Sequence, residues 1–307
     1  MSVSWVAGSV RSRAMTRRRL GSAGARSLAT SPSVDAALAT LAHTPYGHDV
    51  RPGQTLAEAQ HAVVDTVLWN LRVLAGWAPR DGVTILRVLL AAVEAANVED
   101  HLRRLTSGTA PAPYRLGGLA TAWPRLSRTT SAAGIRQVLA ASPWGDPGGE
   151  TPREIGLAMR TSLADRVMAA VPAARAWAAG STALLVAREV VVDGRQLPVR
   201  ARIAASRVLG PRAASATTMP ELVAAMSSGA RWALSGVARP DDLWQAEAHW
   251  WARVERDGFA LARRAAAGPE VVVGTVAMMA ADAWRVRAAL ELAARGGTPV
   301  EAFDAVA

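Results

Sequence analysis

Apolar positions along this chain recur at helical spacing, and they do so in long helices that share one kind of start. Thr55-Leu56-Ala57-Glu58 is a capping-box sequence, with Thr to accept from a backbone N–H and Glu58 to reach back to the cap. Behind it Val64, Val67, Leu68, Leu71 and Leu74 form one apolar face, and Gly76 ends the run. Thr151-Pro152-Arg153-Glu154 repeats that start, followed by Leu163, Val167 and Val171 and a stop at Pro172. Arg239-Pro240-Asp241-Asp242 opens a third long helix, with two carboxylates at its positive end and Leu243, Trp250, Val254 and Leu261 on one side.

A short helix precedes each long one. Ser31-Pro32 opens the first, Leu38 and Leu41 mark its apolar side, and it stops at His43-Thr44-Pro45-Tyr46-Gly47. Thr130-Ser131 opens the second, which stops at Ala141-Ser142-Pro143-Trp144-Gly145. The third opens at Thr218-Met219-Pro220-Glu221 and ends at Ser228-Gly229-Ala230-Arg231-Trp232, keeping the aromatic but losing the Pro. A strongly apolar helix then closes each set: 83–105 ending at Gly108, 181–192 broken by Asp193-Gly194, and 271–294 ending at Gly296-Gly297. Only 189–193 and 271–273 look strand-like, and both lie in stretches that read equally well as buried helix. The pattern predicts an all-α chain of three helical quasi-repeats. Gly- and Pro-rich linkers at 106–122 and at 210–218 cut it into units 1–115, 116–212 and 213–307. Units of this kind bury their apolar faces by stacking or closing on one another.

Composition removes several chemistries. The 307 residues contain no Cys, so no disulfide, thiolate nucleophile or Cys-based zinc site is possible. All 35 basic residues are Arg; without Lys there is no phosphate-loop or Schiff-base lysine. The net charge of +10 gives the chain a field that attracts acidic partners. Arg11, Arg13, Arg17, Arg18, Arg19 and Arg26 all precede the first acid, Asp35, a distribution superficially like an organelle transit peptide but without the apolar core of a secretory signal. The longest uncharged apolar runs fall well short of the ~20 residues of a spanning helix.

Four stretches resemble the C-type central-stalk component of the A-type/V-type rotary ATPases, the relative of the d-type component of the eukaryotic membrane sector. They are Trp5-Val6-Ala7-Gly8-Ser9-Val10-Arg11-Ser12-Arg13, resembling the family's opening helix; 32–47 with its Thr-Pro-Tyr-Gly ending; 95–108, with Val98-Glu99 in place and Asp100 where Asn is more usual; and 281–297. The order of elements matches over nearly the whole chain. The missing Lys, the degenerate third ending and the divergent second closing helix depart from the family. The resemblance implies a pseudo-threefold funnel, cytoplasmic and peripheral to the membrane. It would cap the membrane rotor ring, receive the central shaft, and transmit torque for proton or sodium transport without catalytic residues or cofactor. It also makes the Arg-rich start the first helix of the fold. Membrane contact would be indirect, through the ring.

Within that reading the candidate partner contacts are Arg103 and Arg104 in the first unit and Arg285 and Arg287 in the third, at equivalent closing-helix ends. Arg at a helix C-terminus also serves simply to complement the dipole. Of the five His, only His61 with Asp65 shows ligand-like i,i+4 spacing, and no third ligand converges, so no metal is expected. Gly21-Ser22-Ala23-Gly24 has no preceding strand and reads as a break after the first helix. Glu94 and Glu99 read as surface acids, and Trp69, Trp77, Trp177, Trp250 and Trp251 as core or packing residues. The alternative is a basic helical-repeat protein that binds nucleic acid or an anionic membrane surface by charge. The Trp residues are scattered rather than gathered in a stripe, so nucleic acid is not the expected partner. No small-molecule substrate is implied.

Overall fold

The computed structural model describes residues 3–237, 239–297 and 303. Among them there is no strand; every regular element is helical. Both strand-like stretches are helix. Residues 271–273 lie inside the helix Pro269–Ala293, where consecutive Val side chains are all buried because neighbours cover every side. Residues Ala187–Val192 form a π-helical turn that extends the helix Arg175–Val186.

The starts of the first two long helices follow the predicted chemistry. Thr55 Oγ1 accepts from Glu58 N–H at 3.3 Å while Glu58 Oε2 accepts from Thr55 N–H at 2.8 Å, opening the helix Leu56–Ala75. Thr151 and Glu154 make the same reciprocal pair at 3.2 and 3.1 Å, with Pro152 at the first position of Pro152–Ala170. Such a cap is worth about 1 kcal/mol. Ser33 and Ser131 cap the short helices Val34–Ala42 and Ala132–Ala140, and Thr218 caps Met219–Ala225.

Several elements differ from the expectation. Gly21-Ser22-Ala23-Gly24, read as a break, is the first turn of the helix Gly21–Ala29, and the first short helix opens two residues later than Ser31-Pro32, at the cap Ser33. The first closing helix is two: Arg80–Leu89 and Ala91–Ser107, broken at Leu90 where no Gly or Pro marks a break. A helix at Val199–Leu209, which the repeat pattern did not include, packs along Pro152–Ala170 and buries Ala201, Ala204, Ala205 and Val208.

The helices gather into two compact units, 1–86 with 251–307, and 87–250. Compactness and repetition thus divide the chain differently. In the first unit, Pro269–Ala293 is central, and Val6–Thr16, Gly21–Ala29 and Leu56–Ala75 pack on it. Its Gly274 permits the closest approach: a Cβ there would lie 2.5 Å from Ala262 N. The second unit is built around Pro152–Ala170, contacted by Ala91–Ser107, Arg175–Val186 and Val199–Leu209. One apolar cluster there joins Val98 and Leu102 to Leu126, Ile135, Leu139 and Ile155.

Candidate functional site

In each unit one buried carboxylate lies on an apolar helix face and is met by the aromatic of a Pro-aromatic-Gly turn. On Pro269–Ala293 it is Asp282, 1% exposed, between Ala281 and Ala283. Its Oδ1 accepts from Gly21 N–H at 2.7 Å, and its Oδ2 from Leu20 N–H at 3.1 Å and Tyr46 OH at 2.8 Å. On Ala91–Ser107 it is Glu94, 0% exposed. Glu94 accepts from Thr121 N–H at 2.5 Å, Ala122 N–H at 2.6 Å and Trp144 Nε1–H at 3.2 Å. The surface role expected of Glu94 is therefore wrong. Taking a carboxylate out of water costs several kcal/mol unless hydrogen bonds replace the solvent, and three donors do so at each position. In both cases two are backbone N–H groups at a helix start, where orphan donors and the dipole favour an anion: Leu20 caps Gly21–Ala29, and Ala122 caps Trp123–Leu126.

The turn that delivers the aromatic is built the same way twice. Thr44 Oγ1 donates to Leu41 O at 2.6 Å and accepts from Tyr46 N–H at 3.2 Å. Ser142 Oγ donates to Leu139 O at 2.7 Å and accepts from Trp144 N–H at 3.2 Å. The hydroxyl thus ends the short helix and turns the chain so that the aromatic points inward. The glycines that follow have different reasons. Gly47 is required by contact, since a Cβ would lie 2.0 Å from Ala42 O; Gly145 is required by its backbone, at φ +78°.

The third aromatic, Trp232, lies against a glycine of the helix Arg175–Val186. It packs on Gly180, where a Cβ would lie 2.7 Å from the indole, and its Nε1 donates to Gly229 O at 2.9 Å. Trp250 completes that contact, donating from Nε1 to Trp177 O at 2.9 Å.

Burial and the neighbouring Asp282 carboxylate push the Tyr46 phenol well above its ordinary pKa. Arg166 sits over the Trp144 ring, 4.8 Å from its centroid, and burial pulls its guanidinium below the ordinary value. Of the other two acids on Ala91–Ser107, Asp100 is also buried, whereas Glu99 does lie nearer the surface, where Arg160 pairs with it at 2.8 Å.

The four candidate Arg have unlike surroundings. Arg103 is exposed and pairs with Asp100; Arg104 donates to Pro111 O at 2.6 Å. Arg287 is exposed. Arg285 is 3% exposed and grips Glu255 with both terminal nitrogens, one at 2.8 Å, so it has no free surface to offer. Arg19 joins Glu255 from another side at 2.9 Å. The hydrogen bond from Arg285, ahead of the other contacts, holds the Glu255 carboxyl below its ordinary pKa. The Arg103 and Arg104 pair and the Arg285 and Arg287 pair lie in different compact units.

No group of His and acids among the described residues is arranged to hold a metal ion. His61 Nε2 meets Asp65 Oδ2 at 3.3 Å, and buried His101 donates from Nε2 to Thr129 O at 2.9 Å. Trp177 is buried as a core residue, but Trp69 and Trp77 are 37% and 55% exposed. Among the described residues no helix is long and apolar enough to cross a membrane. A search against protein-family models returned no match, and neither did a search of curated proteins.

Proposed function

We propose that this chain is a non-catalytic central-stalk component of a rotary A-type/V-type ATPase, an adaptor that joins the rotor shaft to the membrane rotor ring. In this role its three helical quasi-repeats, 1–115, 116–212 and 213–307, form a pseudo-threefold funnel, peripheral to the membrane on its cytoplasmic side. One observation carries the proposal. Each turn aromatic lies on the closing helix of the preceding repeat: Trp144 on the helix of Glu94, Trp232 on that of Gly180, and Tyr46, from the first repeat, on that of Asp282 in the last. This is the contact order that three cyclically related repeats would make. The resemblance of the Thr-Pro-Tyr-Gly turn, the opening helix and the closing-helix ends to the rotary-ATPase component supports the same assignment.

Arg103, Arg104 and Arg287 are the surface cations that would meet the shaft; Arg285 would act internally, by fixing Glu255. The experiment is purification of the tagged full chain from its native cells at low and moderate salt. The expected result is one copy of the chain together with shaft and ring proteins. Recovery of the chain alone, or with nucleic acid that salt removes, would overturn the assignment. If the complex forms, Arg103→Glu with Arg104→Glu should slow shaft association most at low salt and leave the fold intact.

A further inference from the structure

Beside the Tyr46 turn, within the unit 1–86 with 251–307, lies a hollow of about 320 Å³. Arg11 reaches it from the middle of Val6–Thr16, and Arg18 and Arg19 from the residues after that helix; Trp69 and His48 also line it. The size is at the lower end for ligand pockets, which run from roughly 300 Å³ upward.

The three cations are not equivalent. Arg19 is spent on Glu255 at 2.9 Å and on Thr16 O at 3.1 Å. Arg11 and Arg18 have no hydrogen-bond or ion-pair partner among the described residues. Arg11 Nε is moreover shut off from solvent with its N–H unanswered. The carboxylate that lines the hollow, Asp282, already accepts from Leu20 N–H, Gly21 N–H and Tyr46 OH. Its negative charge remains, but three guanidiniums stand around the hollow against this one carboxylate. Opposite, His48 stacks on Trp69 with ring centroids 4.1 Å apart, while its Nδ1 is held by Asp49 Oδ2 at 2.7 Å. That side of the hollow is aromatic.

We infer that this hollow binds a compact phosphate-bearing anion, with Arg11 and Arg18 as its charge contacts and the Trp69–His48 stack as its aromatic side. The excess of guanidiniums over carboxylate favours an anion, and the forked N–H donors of Arg11 and Arg18 match phosphate oxygens. A diphosphate group satisfies both conditions in a space of this size. The inference does not depend on the adaptor role.

The test is calorimetric titration of the full chain with inorganic diphosphate at fixed ionic strength, in Arg11→Gln, Arg18→Gln and Arg128→Gln variants beside the parent. Arg128 is an exposed cation of the other unit and serves as the charge control. The expected result is one saturable site whose affinity falls on the order of ten-fold or more in Arg11→Gln and in Arg18→Gln, and is unchanged in Arg128→Gln. Arg18 is exposed, so its variant keeps the fold whatever happens at Arg11, and circular dichroism checks both. Absence of saturable binding by the parent overturns the inference, as does an equal loss in all three variants, which would signify diffuse charge. A parallel arm measures flotation with phosphatidylcholine vesicles carrying phosphatidylglycerol. Vesicle binding that requires Arg11 and Arg18, without response to soluble diphosphate, overturns the inference in favour of a lipid surface.

Discussion

Removing the Asp282 carboxylate tests the energetic reasoning most directly. Asp282→Ala strands two backbone N–H groups and the Tyr46 hydroxyl in a site that is 1% exposed. An unanswered buried donor costs about 1–3 kcal/mol, so three would cost roughly 3–9 kcal/mol if none relaxed. Two effects return part of this: a buried charge no longer has to be desolvated, and water can enter the space the side chain leaves. The net loss expected is about 2–4 kcal/mol. Tyr46→Phe removes one donor of three and should cost about 1–2 kcal/mol. The double variant with Asp282→Asn should show a coupling of about 1–2 kcal/mol, since the phenol and the carboxylate bond directly to each other. Urea unfolding of the full chain followed by circular dichroism gives the midpoints. Hydrogen exchange then localises the loss, which should appear in the amides of Gly21–Ala29 and Pro269–Ala293. A loss below about 1 kcal/mol for Asp282→Ala, or additive single effects in the cycle, would refute the carboxylate as an organising group.

Other outcomes follow from the same geometry. Glu94→Gln should destabilise the unit 87–250 by about 1–3 kcal/mol, read from exchange of the amides near Trp123–Leu126, because its amide nitrogen cannot accept from the donors it would face. Gly47→Ala should cost more than about 2 kcal/mol or prevent folding, whereas Gly76→Ala, whose nearest contact is 3.4 Å, should be nearly neutral in the same thermal melt. In alkaline titration by ultraviolet absorbance, Tyr46 should ionise above the ordinary tyrosine range. Because its folded pKa is raised, its stabilisation is complete below the unfolded value of about 10 and declines as pH rises beyond it, a loss that Tyr46→Phe should remove. Glu255 behaves oppositely: its folded pKa is depressed, so its contribution is present above about pH 4.5 and disappears as pH falls through the folded value. Glu255→Gln should accordingly flatten the acid limb of the stability profile.

Helix starts were legible because their chemistry is local. Thr55 with Glu58 and Thr151 with Glu154 carry the capping signal within four residues, and both pairs form it. The Pro-aromatic-Gly turns were legible as helix ends, but not as carriers of a hydrogen bond to a distant acid. Glu94 and Asp282 were missed because an acid in a helix ordinarily reads as solvated. The available signal was the company they keep. Leu90 and Val98 stand one turn to either side of Glu94, and Met278 and Val286 one turn to either side of Asp282, so neither acid continues a wet face. Arg285 was misjudged as surface because its partner, Glu255, is 30 residues away in sequence. The break at Leu90 had no signal, since neither neighbour disfavours helix. The helix Val199–Leu209 carries three Arg among small apolar residues, and only tertiary packing of its Ala face on Pro152–Ala170 identifies it as structural.

The central place of Pro269–Ala293 has a consequence for how the molecule is made. Gly21–Ala29 and Leu56–Ala75 bury Leu28, Leu71 and Val67 in a unit completed by a helix that the ribosome produces about 180 residues after residue 86. At translation rates of about 5–20 residues per second, these segments wait on the order of ten to forty seconds for their packing surface. The unit 87–250, whose helices all come from one continuous stretch, is complete in the meantime. Residues 87–250 can therefore fold before residues 1–86, whose apolar and Arg-rich helices gain their packing surface only when Pro269–Ala293 emerges.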